Sequence, residues 1–189
     1  MNKQNMSDKI ISIHFNSDIA KGDDNTRIAF YANIGFFLEV AQMFEFNLRK
    51  LICYERSVKE IEKGEISKEN IVRICSKYDK FYENTYSGKF TLGKIVKESR
   101  KESSISSDFF DFLDEINEFR NLLVHKIFQN NVITNNLASP DLVNEYTKKR
   151  IIPMTDKAII INKAIVGIVD TYRTDLREYK KQFGITIKD

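Results

Sequence analysis

From Thr26 to Tyr54 the chain contains no proline and a single glycine, and apolar residues recur at Phe30, Ile34, Phe37, Ala41, Phe44, Leu48 and Ile52. That spacing is the signature of one long amphipathic helix, with Thr26 as its N-cap. A second apolar strip, Phe36, Met43 and Phe46, lies on another side of the same helix, which is therefore apolar nearly all round and needs two covers. A core strip is the commoner meaning of such spacing; another helix or a second subunit would supply the cover. The whole chain is similarly poor in helix breakers, with 7 Gly and 2 Pro in 189 residues. Collagen-like, low-complexity and largely disordered chains are excluded by 42% hydrophobic and 30% charged residues.

Further along, Ser67 caps a helix from about Lys68 to Glu83, and Thr91 caps one from about 91 to 101. Ser107 or Asp108 caps a helix running to about Phe128, with Asp108 and Asp111 suited to its positive end. The 130–139 stretch is Asn-rich and loop-like. Ser139-Pro140 then opens a short helix to about Arg150, Pro153 interrupts it, and a last long helix runs from Thr155 to Phe183 with Gly184 as its stop. No convincing alternating strand pattern appears. The fold class expected is all-α, an antiparallel up-and-down helical bundle over residues 26–184, with a short N-terminal arm at 1–25 and a tail at 185–189. The alternative is α+β, with Ile10 to Phe15 or Ile185 to Ile187 as minor strands.

The size, 22.1 kDa, suits one domain with its own core. A net charge of +3 from 30 basic and 27 acidic side chains announces neither a nucleic-acid nor a membrane-surface binder, so any such role rests on local clustering. One cluster is the face made by Lys94, Lys97, Arg100 and Lys101, which would follow an RNA backbone or simply be solvated. Lys148-Lys149-Arg150 has the same two readings. Two cysteines, Cys53 and Cys75, match neither a zinc site nor a disulfide framework, and His14 has no partner residue nearby in sequence. No metal and no cofactor is expected. With no apolar leader segment in Met1 to Ile10 and no run of 18 apolar residues, the sequence is read as that of a cytoplasmic protein with no membrane partner.

The segment richest in chemistry is Glu118-Phe119-Arg120-Asn121-Leu122-Leu123-Val124-His125. On an ideal helix Phe109, Phe112, Leu113, Ile116, Phe119, Leu123 and Ile127 share a broad apolar arc, opposite Asp111, Asp114, Glu118, Asn121 and His125. Arg120 falls inside the apolar arc. Its guanidinium must snorkel, pair with a buried carboxylate, for which Glu39 and Glu45 are candidates, or face a cavity that accepts an anion. Asn121 and His125 are i,i+4 neighbours, so the amide can fix the imidazole's tautomer. Arg120 and His125, however, point roughly 140° apart on an ideal helix.

Arg120-Asn121-x-x-x-His125, late in a helix of an all-helical domain, resembles the R-polar-x-x-x-H signature of the HEPN superfamily. The resemblance implies an up-and-down bundle that dimerises through its motif helices. It also implies a metal-independent endoribonuclease of toxin-antitoxin, abortive-infection or antiviral systems, with RNA as substrate and an antitoxin or other defence protein as a further partner. His125 would act as general base or acid on the ribose 2′-hydroxyl and leaving oxygen, Arg120 would stabilise the phosphate charge, and Asn121 would orient the histidine. In one subgroup, restrained by a nucleotidyltransferase antitoxin, a tyrosine stands two residues after the histidine; here Ile127 does, so control of that kind is not expected. The alternative function is a non-catalytic helical module binding a protein, RNA or a nucleotide. The alternative reading of the motif itself is a buried ion pair for Arg120 and a helix-end histidine favoured by the C-terminal dipole.

Overall fold

The computed structural model describes residues 24–86, 91–101, 105–127 and 139–186. The N-terminal arm up to residue 23, with Ile10 to Phe15 and His14, lies outside these residues, as do most of the Asn-rich stretch and Ile187. Among the described residues every regular element is a helix and there is no strand. The elements are α1 (Asp24–Lys63), α2 (Lys68–Thr85), α3 (Leu92–Arg100), α4 (Ser107–Asn121), α5 (Pro140–Tyr146) and α6 (Ile152–Gln182). Two π-turns complete them: π1 (Leu122–Lys126) continues α4, and π2 (Thr147–Ile151) joins α5 to α6.

The spine is α1, 40 residues and about 60 Å long. It runs past Tyr54 because Val58 and Ile61 extend the buried stripe, packing with Ile71 and Ile74 of α2 and Leu176 of α6, before Gly64 ends it. Phe30, Phe37, Phe44 and Leu48 are fully buried on its inner face. Each such side chain stabilises the fold by about 1.5–3 kcal/mol. Arg49, 6% exposed, fastens the spine to the end of α2: it pairs with Glu45, donates to the Thr85 carbonyl at 2.9 Å and stacks 4.7 Å from the Tyr86 ring centre. A buried guanidinium is tolerated there because both of its terminal nitrogens are bonded.

Contacts give the direction of each helix pair. Arg49 meets Thr85 while Glu60 meets Lys77, so α2 runs against α1. Arg100 meets the Phe110 carbonyl while Gly93 faces Asn117, so α4 runs against α3. α6 runs along α1, with Asn47 donating to Asn162 at 2.9 Å and Val58 and Ile61 clustered with Leu176.

Local signals explain most boundaries. Ser67 accepts from the Asn70 amide and Thr91 from that of Lys94, as N-caps do. Pro140 occupies the first turn of α5, and Gly184 takes φ 60° just past α6. The cap of α4 is Ser106, one residue earlier than expected and without a side-chain bond.

Pro153 does not end the helix. It breaks the α hydrogen-bonding pattern, since it has no N–H and its ring crowds the preceding turn. The chain answers with π2, a wider turn, and continues as one rod from Pro140 to Gln182. The strip Phe36, Met43 and Phe46 is not core: these side chains are 50%, 51% and 41% exposed, and with Ile28 they form an uncovered apolar stripe on α1. The second cover expected for α1 is absent among the described residues on that side. Within the α4 arc, Phe110 is buried and Phe112 is 40% exposed under the Lys157 ammonium, so Phe112 belongs to the surface.

Candidate functional site

Arg120 and Asn121 close α4, and His125 sits in π1. The helix is anchored here by Phe119, whose ring meets that of Phe37 edge-to-face, centres 5.0 Å apart. Beyond Asn121 the bonding changes from i→i+4 to i→i+5, placing about 4.4 residues in a turn, or about 80° per residue. On ideal geometry the five steps from Arg120 to His125, one of about 100° and four of about 80°, leave the two directions about 60° apart instead of about 140°. Asn121 and His125 stay about 40° apart, as on an α-helix but in the opposite sense.

The three side chains differ in exposure: Arg120 and Asn121 are half-buried and His125 is exposed. None of the three forms a side-chain hydrogen bond or ion pair with a described residue. The amide of Asn121 therefore stands beside the imidazole without bonding it. The carboxylates proposed as burial partners are engaged or distant in role, since Glu45 is held by Arg49 and Glu39 is exposed. Arg120 is thus a half-covered cation with no carboxylate among the described residues, a state suited to an incoming anion.

The basic face on α3 is partly spent on structure. Arg100 pairs with Asp114 and donates to the Phe110 carbonyl at 3.3 Å, binding α3 to α4. Lys101 pairs with Glu98 at 2.8 Å, while Lys94 and Lys97 are exposed. The structure does not bring these four residues together with Arg120 and His125 through any bond among the described residues. Along α2 and its C-cap, Tyr78 donates to Glu60 at 2.8 Å, the Tyr82 and Tyr86 hydroxyls bond each other, and Phe81 packs on the core.

A groove that sequence reasoning missed lies between α4 and the π2–α6 junction, enclosing about 390 Å³. Its floor is Phe119, Leu122, Pro153 and Met154. Glu115 and Glu118 rim one wall, Lys149, Arg150 and Lys157 the other. Each wall contains or adjoins a π-turn, a conformation that concentrates at functional sites.

A thiol nucleophile is disfavoured by the environment of both cysteines. Burial pushes Cys53 up to about 12, with nearby Arg56 offsetting it only in part, and burial likewise raises Cys75. Among the described residues no three His, Cys, Asp or Glu side chains gather as a metal site would require, and no helix is long and apolar enough to cross a membrane. The π-turns leave no distinctive spacing in the sequence, since buried residues at successive i+4 positions also run along ordinary α-helix, as Phe44, Leu48 and Ile52 do in α1. Comparison with protein-family models, with characterised proteins and with solved structures finds no match to this chain.

Proposed function

We propose that the protein is a metal-independent endoribonuclease of HEPN type, acting in a toxin-antitoxin, abortive-infection or antiviral role. His125 takes the proton from a ribose 2′-hydroxyl, whose oxygen attacks the adjacent phosphorus; the 5′-oxygen leaves as the chain breaks and is protonated in turn. The products are a 2′,3′-cyclic phosphate and a free 5′-hydroxyl. Arg120 meets the charge that grows on the non-bridging oxygens, a task for a cation that never loses its proton. Asn121 orients the imidazole. In a homodimer built on the motif helices, two copies of the motif would line one cleft.

The observation that supports this reading is that the Arg120 guanidinium and the His125 imidazole, on either side of the α4–π1 boundary, form no ion pair with described residues. The test is incubation of the purified protein with total RNA in EDTA, wild type against His125→Ala and Arg120→Ala. Cleavage should fall by at least 10²-fold in both, the lower range of general acid–base catalysis, with the far-UV helical signal retained. Cleavage by His125→Ala at the wild-type rate refutes the assignment. A second reading, a non-catalytic module that binds a partner protein, is favoured by the exposed stripe Ile28, Phe36, Met43 and Phe46. RNA left intact by the wild-type protein would select it.

A further inference from the structure

The groove between α4 and the π2–α6 junction has a chemistry separate from that of the Arg120 motif. We propose that it binds one guanine nucleotide, free or as a residue of single-stranded RNA. Three observations carry this. First, its charges are sorted. Lys157 is bound to Glu115 and Lys149 to Glu145, whereas Glu118 on one wall and Arg150 on the other pair with no described residue. Second, between them lies an apolar floor, in which Leu122 and Met154 are half-buried and Pro153 is exposed. Third, about 390 Å³ is at the small end of ligand pockets, matching one nucleotide better than a length of chain.

The base identity follows from donor and acceptor logic. A carboxylate only accepts hydrogen bonds, and it does so best from two parallel N–H groups. Guanine presents two adjacent donors, N1–H and the N2 amino group, on one edge. Adenine and cytosine place a ring acceptor beside their amino group, and uracil flanks its single N–H with carbonyls, so each sets a lone pair against Glu118. The base then lies on the apolar floor, and its phosphate faces Arg150, whose planar fork matches phosphate oxygens. Single-stranded bases are commonly read in this way, on the Watson–Crick edge over an apolar platform.

The experiment is calorimetric titration of the full chain with GMP, AMP, CMP, UMP and guanosine, and separately with 2′-O-methyl RNA pentamers holding one G or one A. The methylated backbone cannot be cleaved by 2′-hydroxyl attack, so binding is read whether or not the protein is a nuclease. GMP should bind at least tenfold more tightly than the other monophosphates. Glu118→Gln should abolish that preference. Arg150→Ala should weaken GMP about tenfold and leave guanosine unchanged. Both side chains are exposed, so both variants should keep the wild-type helical signal. GMP binding without discrimination between the pentamers identifies a free nucleotide as ligand, and discrimination between pentamers identifies an RNA subsite. No guanine preference in either arm, or a preference that survives Glu118→Gln, overturns the proposal.

Discussion

Replacing Phe37 and Phe119 by leucine, singly and together, tests whether the spine holds the motif helix through an aromatic contact. Phe37 is fully buried, Phe119 is 6% exposed, and the rings meet at 83° with centres 5.0 Å apart. Such an edge-to-face pair contributes about 0.5–1.5 kcal/mol beyond the area it buries. Each single substitution removes that pair and leaves a small void, at a cost of about 1–2 kcal/mol, less than truncation to alanine. The double variant should cost less than the sum, by a coupling of about 0.5–1.5 kcal/mol. Unfolding entropy for a chain of 189 residues is about 0.4 kcal/mol/K, so each single variant should lower Tm by about 3–5 °C. Urea unfolding followed by far-UV circular dichroism supplies the four free energies of the cycle, provided the transitions are two-state. Strict additivity, within about 0.3 kcal/mol, would show that the two rings do not act as a pair and that α4 is anchored otherwise.

Gly35 and Gly167 lie inside α1 and α6, and a Cβ at either would meet nothing within 4 Å. Gly35→Ala and Gly167→Ala should each stabilise the protein by about 0.5–1 kcal/mol in the same urea assay; a loss of stability would mean that another surface packs there. The Lys77 ammonium and Tyr78 hydroxyl hold the Glu60 carboxyl below its ordinary value. Its stabilising contribution is therefore present above about pH 4.5 and is lost as pH falls through the lowered value. Glu60→Gln should accordingly narrow the stability gap between pH 7 and pH 3, by under about 1 kcal/mol because the pair is partly solvated, and an unchanged gap would contradict the assignment. Buried Cys53, raised to about 12, should react with a thiol reagent at pH 8 far more slowly than half-buried Cys75. Equal labelling rates in native protein, read by mass spectrometry, would refute that ordering.

Residues that act within one or two turns were legible in the sequence. Ser67, Thr91, Ser139 with Pro140, and Gly184 mark helix ends because capping is a local hydrogen-bond problem with few solutions. The inner stripe of α1 was legible for the same reason, its period being fixed by backbone geometry. What escaped depends on partners distant in sequence. Phe36, Met43 and Phe46 have the same spacing as core residues, and only the placement of α2 and α6 decides that they face outward. Glu45 was a reasonable partner for Arg120 until Arg49, one turn away, claimed it. The change of turn type at 122–126, which alters the ideal angle between Arg120 and His125, is not announced by local spacing, because Phe119, Leu123 and Ile127 follow the same i+4 pattern as Phe44, Leu48 and Ile52 in α1. Pro153 was taken as a stop because proline's missing donor is certain from sequence, whereas the neighbouring turn's ability to widen around it is not.

The two widened turns also give the chain places where its length is not strictly counted. Elsewhere in these rods, losing one residue would swing everything downstream by about 100° and pull buried side chains out of register. Within 122–126 or 147–151, losing one residue would let the turn relax to ordinary α geometry, leaving later faces pointing where they did and shortening the rod by only about 1.5 Å. Single-residue deletions should therefore be tolerated at these two points and poorly elsewhere along the same rods. The walls of the groove are thus the part of the fold whose shape can drift without disturbing the core beneath.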